Sequence, residues 1–318
     1  MKAIVCTKYG PPEVLKLREV EKPVPRDDEV RIKIFATAVT ASDTIVRGFK
    51  FPRWHPMGIM MGLVVGFTAP RKPILGMVLS GEVESTSKAV KRFKAGDRVF
   101  GSTLDTGGKI RFGAYAEYIC LPENSLITQQ PANISNEEAA AMPYGYGLAT
   151  YFLKKGDVRE GQNVLIYGAS GAIGTSAVQL AKARGAEVTG VCSARNFELV
   201  QSLGANHLLD YTTADAPPPG ARYDFIFDAV GKSKTSTFKE NCQKALAPGG
   251  QYSSVDSGNP QNSLAEMETL KELVETGRFK AVIDRSYPLA EMAAAHHYVD
   301  QGHKKGNVVI NVVPDRPV

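Results

Sequence analysis

Cysteine and histidine are scarce in this chain, and their scatter removes whole classes of chemistry. The four cysteines, Cys6, Cys120, Cys192 and Cys242, lie far apart with no C-x-x-C pair, and the five histidines form no plausible ligand set with them. Widely spaced cysteines argue against a disulfide-held secreted domain and for reduced, mostly buried thiols in a cytoplasmic protein. Long apolar runs are also missing. The longest, residues 57–67 (MGIMMGLVVGF), carries three glycines and is too short to span a bilayer. The first residues do not read as a leader peptide, because Lys2 is followed by only four apolar residues before Thr7 and Lys8. Neither sign of charge dominates, the formal net charge being +5. The densest basic cluster, Lys88, Lys91, Arg92 and Lys94, has no interleaved aromatic ladder, so no nucleic-acid partner is expected. There is no internal repeat and no low-complexity tract.

What the chain does hold is concentrated at 163–195. Residues 164–167 (VLIY) read as a short buried strand, and Ala169-Ser170-Gly171-Ala172-Ile173-Gly174 as a tight Gly-rich turn. Residues 175–184 have helical spacing, Gly185 ends the helix, and 187–192 reads as the next strand. Strand, Gly turn, helix and strand in this order make the βαβ dinucleotide-binding unit. Gly171 lets backbone approach a pyrophosphate, Gly174 lets the first helical turn pack on the strand, and the helix N-terminus offers N–H groups and partial positive charge. The first glycine of the usual G-x-G-x-x-G is replaced by Ala169, with Gly168 one step earlier.

The end of the second strand speaks to which nucleotide. A site for NAD places Asp or Glu there for the ribose 2′-OH, whereas this chain has Cys192 and Ser193, followed by Arg195. A guanidinium suits a 2′-phosphate, so NADP(H) is expected over NAD(H).

Around this unit the chain changes character. Residues 1 to about 125 read as β-rich, with strands at 2–6, 14–19, 29–38, 76–84, 98–101 and 114–121 separated by Gly and Pro turns. From about 125 strands and helices alternate. Ser135 is placed to cap one helix, with Glu137 and Glu138 near its positive end, and 143–147 starts a second that runs to Lys155. Strands follow at 208–210, 224–228 and 250–255, an amphipathic helix at 263–275, a helix at 289–299 and a strand at 307–313.

The segments 2–4 (KAI), 40–43 (TASD), 76–81 (GMVLSG), 92–100 (RFKAGDRVF), 169–174, 202–205 (SLGA), 223–228 (YDFIFD) and 304–309 (KKGNVV) together resemble the medium-chain dehydrogenase/reductase superfamily, in its zinc-free quinone-oxidoreductase-like branch. The resemblance covers nearly the whole chain. It implies an α/β protein with a GroES-like β-barrel catalytic domain, 1–125 and 282–318, and a Rossmann doubly wound parallel sheet that binds NADP(H), 126–281, with the active site in the cleft. It further implies that Ser170, Gly171, Ala172 and Ile173 hold the pyrophosphate and Ser193 and Arg195 the 2′-phosphate. Tyr211 would stand on the adenine side, and Ala229, Val230, Ser253 and Ser254 would line the nicotinamide.

Three departures qualify the resemblance. Zinc members carry a Cys where Thr40 stands, a His-Glu pair where Met77 and Val78 stand, and a cluster of four Cys, all absent here, so no metal is expected. Some quinone reductases carry a Tyr proton donor at the position of Ile45. Tyr144 and Tyr146 are substitutes, with inter-domain packing as their other reading. Thr40 is placed to hydrogen-bond the nicotinamide or a substrate carbonyl, and Asp43 to hold its loop through backbone N–H groups. Between residues 255 and 263 the chain is too short for the helix and edge strand that relatives carry, so the sheet is expected to be shortened to five strands. A monomer or weak homodimer is expected, since that edge often pairs subunits.

Without a Lewis acid an unactivated alcohol is hard to oxidise, whereas a conjugated enone or quinone is already electrophilic and needs positioning and one hydrogen bond. The expected activity is NADPH-dependent reduction of quinones or α,β-unsaturated carbonyl compounds, with a small-molecule substrate. The alternative, motivated by the missing Tyr, is a non-catalytic NADPH-binding scaffold or redox sensor. The long Met-rich stretch 48–73 reads either as a core-covering flap or as a substrate lid or lipid-surface contact.

Overall fold

The computed structural model describes residues 1–50, 52, 54–105, 111–258 and 260–313. In chain order its elements are β1 (Lys2–Cys6), β2 (Leu15–Glu19), β3 (Glu29–Val39), α1 (Ala41–Gly48), α2 (Pro56–Val65), β4 (Val78–Thr86), β5 (Arg98–Asp105), β6 (Tyr118–Pro122), β7 (Ser125–Gln129) and α3 (Asn136–Lys155). There follow β8 (Asn163–Tyr167), α4 (Ala172–Ala183), β9 (Glu187–Cys192), α5 (Phe197–Ser202), β10 (His207–Asp210), β11 (Tyr223–Asp228), α6 (Thr237–Cys242) and β12 (Leu246–Ser254). The last are α7 (Leu264–Glu275), β13 (Ile283–Pro288), α8 (Met292–Asp300) and β14 (Asn307–Asn311). The chain divides into two compact units. One comprises Met1–Pro143, Ser263–Glu275 and Ile283–Val318, and the other Tyr144–Asn262 and Thr276–Val282.

The first unit is the GroES-like domain. Its main sheet runs β13-β14-β3-β4-β5-β7, with β6 also on β3. Strand β3 alternates, so that Val30, Ile32, Ile34, Ala36 and Ala38 all point inward and are buried. Its first half pairs with β6 (Glu29↔Pro122 to Lys33↔Tyr118) and its second half with β14 (Val39↔Val308 to Ala36↔Asn311), which curls the sheet around the core. Fully buried Leu79, Val99, Leu121 and Ile310 fill that core. From its place in the sequence helix α7 is expected in the dinucleotide-binding half, 126–281. It groups with this unit instead and packs along β7.

The second unit is a five-stranded parallel sheet in the order β10-β9-β8-β11-β12. Val164, Leu165 and Ile166 on β8 and Phe225, Ile226 and Phe227 on β11 are wholly buried, as central parallel strands covered on both faces must be. The expected shortening is present: β12 forms an edge, and no sixth strand joins the sheet among the described residues.

Some elements depart from the sequence reading. The two helices expected at 135–155 are one helix, α3, with Pro143 inside it. Ser135 and Glu138 make the expected capping exchange, Ser135 N–H to Glu138 Oε2 at 2.8 Å and Glu138 N–H to Ser135 Oγ at 3.2 Å. A proline inside a helix costs on the order of 3 kcal/mol. The burial of Ala139, Ala140, Ala141, Met142, Tyr146 and Ala149 on either side of it offsets that cost. The strand expected at 114–121 is shorter, β6, because Ala116 contributes only an isolated bridge to Ala3. The 48–73 stretch, for which no helix is expected from the sequence, contains α1's end and the whole of α2.

Candidate dinucleotide site

From β8 the chain fills the sheet outward to β9 and β10 on one side and to β11 and β12 on the other. The carboxyl ends of β8 and β11 are therefore the topological switch point, where open α/β sheets bind ligands. The cofactor residues expected from the sequence lie at or just past the carboxyl ends of these five strands, Ser253 and Ser254 being the last two residues of β12.

The turn after β8 is built from three glycines with different duties. Gly168 has φ of +80°, and a Cβ there would stand 2.4 Å from Val230 Cγ2. This glycine supplies the close approach that the missing first glycine of the fingerprint would otherwise supply. At Gly174 a Cβ would stand 2.1 Å from the Gly168 carbonyl oxygen, so the first turn of α4 lies directly on the turn. At Gly171, chain neighbours aside, the only atom among the described residues within 4 Å of a Cβ would be the Gly168 carbonyl oxygen at 3.5 Å. The space beside Gly171 is open, which is the cradle a pyrophosphate requires and a side chain would fill. Gly171 is the N-cap of α4, no side chain caps the helix, and no acidic residue lies in its first turn. Its leading N–H groups thus have no partner within the helix and face outward with the positive end of the helix dipole. The residues present fit a dinucleotide.

A second loop is tied to this turn. Asn196 is buried, and its Nδ2 donates to Ser170 Oγ at 3.1 Å. The same loop is held from the other side by Asp210, whose Oδ2 accepts from Ala194 N–H at 3.1 Å and whose Oδ1 accepts from the Thr212 N–H and hydroxyl at 2.8 and 2.7 Å. Burial works to raise the Asp210 pKa, but the Thr212 and Ala194 donors outweigh it and hold the carboxyl below its ordinary value. Exposed Arg195 sits between these two ties, and half-buried Ser193 immediately before them. Among the described residues no carboxylate pairs with Arg195. Asn196 and Asp210 are not found from the sequence, since neither belongs to the glycine pattern; a carboxylate closing the strand expected at 208–210 is the signal that could have found Asp210. Tyr211 is partly exposed, with its ring 5.9 Å from that of Tyr167 at the end of β8.

On the other side of the switch point Asp228, 1% exposed, gathers the ends of β11 and β12. Its Oδ1 accepts from the Val230 and Gly231 N–H groups at 3.0 Å each. Its Oδ2 accepts from the Tyr252 hydroxyl at 3.1 Å and the Ser254 hydroxyl at 3.2 Å, and pairs with Lys239 Nζ at 2.8 Å. Ala229 N–H donates to the Tyr167 carbonyl at 3.0 Å. Ser253 is buried, and the Ser254 hydroxyl proton is committed to Asp228.

The two residues expected to be catalytic fall in different units. Tyr144, half-buried, precedes Gly145, where a Cβ would stand 2.4 Å from the Ala172 carbonyl oxygen, so α3 meets the first turn of α4 one residue past Tyr144. Tyr146 is buried edge-on against Phe279, ring centroids 5.7 Å apart, which is packing. In the first unit Thr40 caps α1: its N–H and hydroxyl both donate to Asp43 Oδ2, at 2.9 and 2.6 Å, and its Oγ accepts from Asp43 N–H at 3.2 Å. Asp43 thus holds this loop, as expected. The Thr40 hydroxyl proton is spent, which leaves Thr40 only an acceptor lone pair and removes it as a donor to a carbonyl. Burial pushes the Asp43 carboxyl up from 3.8 to about 6, against the hydrogen bonds of Thr40 and the polar groups of Tyr115 and Gly76 that face it.

Among the described residues no three His, Cys, Asp or Glu side chains are grouped as a metal would need. Burial pushes the thiols of Cys6, Cys120 and Cys242 up to about 11 and that of Cys192 to about 12, so none is a ready nucleophile.

Comparison with known proteins agrees with this architecture. Residues 26–131 match the alcohol dehydrogenase GroES-like domain family, and residues 172–274 and 259–310 match two family models described as zinc-binding dehydrogenase. The chain belongs to the medium-chain dehydrogenase/reductase superfamily, among its quinone-oxidoreductase-like members. It is 32% identical to the chloroplastic quinone-oxidoreductase homolog of Spinacia oleracea, over 98% of this chain and 98% of that one. It is 30% identical to the chloroplastic NADPH-dependent alkenal/one oxidoreductase of Arabidopsis thaliana, over 99% of this chain and 80% of the relative. The solved quinone oxidoreductase of Coxiella burnetii superposes with a TM-score of 0.80 at 26% identity, covering 98% of this chain and 99% of that one. At the level of the family the chain is an oxidoreductase with a nicotinamide cofactor. No helix among the described residues is long and apolar enough to cross a membrane.

Proposed function

We propose that this chain is an NADPH-dependent, zinc-independent reductase of quinones or α,β-unsaturated carbonyl compounds, working in the cytoplasm as a monomer or weak homodimer. The observation that carries the reading is the join between two loops. The open cradle at Gly171 and the loop bearing Arg195 are held together by the Asn196–Ser170 hydrogen bond, so pyrophosphate and 2′-phosphate would be bound by one preorganised surface. Relatives named for quinone and for alkenal/one reduction support the substrate class.

In this reading Ser170, Gly171, Ala172 and Ile173 hold the pyrophosphate through N–H groups, and Ser193 and Arg195 hold the 2′-phosphate. Tyr211 flanks the adenine, while Ala229, Val230, Ser253 and Ser254 border the nicotinamide. When bound between these residues, NADPH would supply the hydride. Asp228 fixes the backbone of Val230 and the Ser254 side chain, so that border is set before the cofactor arrives. Tyr144, one residue before the Gly145 contact with α4, is the proposed donor, and a hydrogen bond from its phenol to the substrate oxygen would stabilise the developing enolate or hydroquinone anion. Thr40 serves as an acceptor, a role suited to a carboxamide N–H and unsuited to a carbonyl.

The test is NADPH oxidation with naphthoquinone, phenanthrenequinone and a short enone, with metal content measured on the same sample. Turnover on at least one of them without stoichiometric zinc is the expected result. Tight NADPH binding with no turnover on any would favour a scaffold or sensor.

A further inference from the structure

Helix α2 is anchored along one side and bare along the other. Val65 joins the core of the first unit, Gly58 and Gly62 are buried, and Met61 packs against that core. The Tyr9 hydroxyl bonds the Val65 and Gly66 carbonyls at 3.0 and 2.8 Å, and Arg71 N–H donates to the Val65 carbonyl at 2.8 Å. At its start His55 Nδ1 accepts from Met57 N–H at 3.2 Å. These bonds tie down both ends of the helix and fix its seat. The outward face carries Met57, Ile59, Met60, Leu63, Val64 and Phe67, all exposed, with Leu63 at 60%. Trp54, just before the helix, is 81% exposed. A contiguous apolar face of this kind on a folded protein marks a docking surface.

Charge says what docks there. From Thr44 to Gly81 the sequence has no Asp or Glu. Arg47 is buried, and it and Lys50 pair with Asp300 at 2.7 and 2.8 Å, so the cations that bear on the helix are Arg71 and Lys72. Exposed Arg71 and Lys72 follow the carboxyl end of the helix, and a Cβ on Gly66 would stand 3.3 Å from Arg71 Cγ. An apolar face with Trp at one end and cations at the other, free of any acidic residue, complements an anionic lipid surface. The aromatic ring and the arginine and lysine heads sit at the headgroup level, and the methionine and leucine side chains enter the acyl boundary. At 10 residues the helix is about 15 Å long, half the thickness of a hydrocarbon core, so it can lie in the interface and cannot cross it. We propose that α2 and Trp54 dock this protein on anionic membrane surfaces. A surface-bound reductase would meet hydrophobic substrates where they are concentrated. The proposal does not depend on which substrate is reduced.

Trp54 is the only tryptophan of the chain, so its emission reports this segment without labelling. Emission and co-sedimentation are measured with vesicles of phosphatidylcholine alone and with phosphatidylglycerol added. A blue shift with at least tenfold tighter partitioning onto the anionic vesicles, weakening as salt rises, is the expected result. Met60→Glu combined with Leu63→Glu should lower partitioning at least tenfold while NADPH affinity and the far-ultraviolet spectrum stay as in the parent. An Arg71→Ala, Lys72→Ala variant should lose the preference for anionic over neutral vesicles. Four outcomes overturn the proposal: no shift with either vesicle, equal partitioning onto both, a shift that grows with protein concentration and dimerisation in the absence of lipid, or a shift produced by naphthoquinone alone. The third outcome would assign the face to a second copy of the chain, the fourth to a substrate lid.

Discussion

Asn196 Nδ2 donates to the Ser170 hydroxyl at 3.1 Å, joining two loops that leave neighbouring strands 26 residues apart. Neither partner carries charge, so the bond's task is alignment. Asn196→Ala removes it and relaxes the angle between the pyrophosphate turn and the Arg195 loop. A bond of this type is worth about 1 kcal/mol, so NADPH affinity should fall about fivefold by calorimetry. NADH, which needs only the turn, should change less.

Arg195→Ala removes a cation that has no carboxylate partner among the described residues. Its loss should leave stability unchanged and weaken NADPH about 10- to 100-fold, the span for hydrogen bonds between charged groups. NADH affinity should change less than about twofold. Equal losses for the two coenzymes would remove the 2′-phosphate assignment.

Gly171 and Gly174 separate binding from folding. Gly171→Val places its side chain in open space, so the melting temperature should hold while binding of both coenzymes is lost. Gly174→Ala forces a Cβ to within 2.1 Å of the Gly168 carbonyl oxygen and 2.7 Å of Ala169 Cα. It should lower the melting temperature by several degrees, in line with overpacking costs of about 1–3 kcal/mol. A Gly171→Val protein that still binds NADPH would mean the turn is not the phosphate site.

Asp43 supplies a pH signature. Its carboxyl is raised from 3.8 to about 6 in the folded chain, so between these values the folded state holds more protons than the unfolded one. The favourable contribution is complete below the unfolded pKa and is lost as pH rises through about 6. Asp43→Asn cannot titrate. The stability of the parent relative to that variant should therefore decline between pH 4 and 6, by an amount on the order of 2 kcal/mol, in urea titrations at matched salt. A flat difference would show that the carboxyl is not shifted.

Tyr144→Phe tests the proton donor. NADPH affinity should be unchanged and kcat should fall about 100-fold, the low end of general-acid contributions. An unchanged kcat would mean that solvent supplies the proton.

What could be read in the sequence was what depends on local geometry. The β8–turn–α4 unit was legible because Gly174 answers to backbone clearance that only glycine meets and Gly171 keeps the pyrophosphate space open. That Asp43 holds its loop was legible, but that Thr40 is its capping partner was not, because no apolar period marks the short helix α1 that the pair begins. Asn196–Ser170 and the convergence on Asp228 were not, because they join segments whose meeting depends on strand order. Helix α2 was hidden for a different reason: it is apolar on nearly every side, so no periodic signal distinguishes it from an irregular loop. Pro143 misled in the other direction, since a strong local breaker was overruled by burial on both sides.

Five donors from three segments converge on the buried Asp228 carboxylate: two amides, two hydroxyls and the Lys239 ammonium. None of these segments can detach while the others stay, because each departure would strand a buried ion. Amide protons at Val230, Gly231 and the end of β12 should therefore exchange with deuterium at one shared rate, as a single opening unit, far more slowly than the exposed loops that surround them.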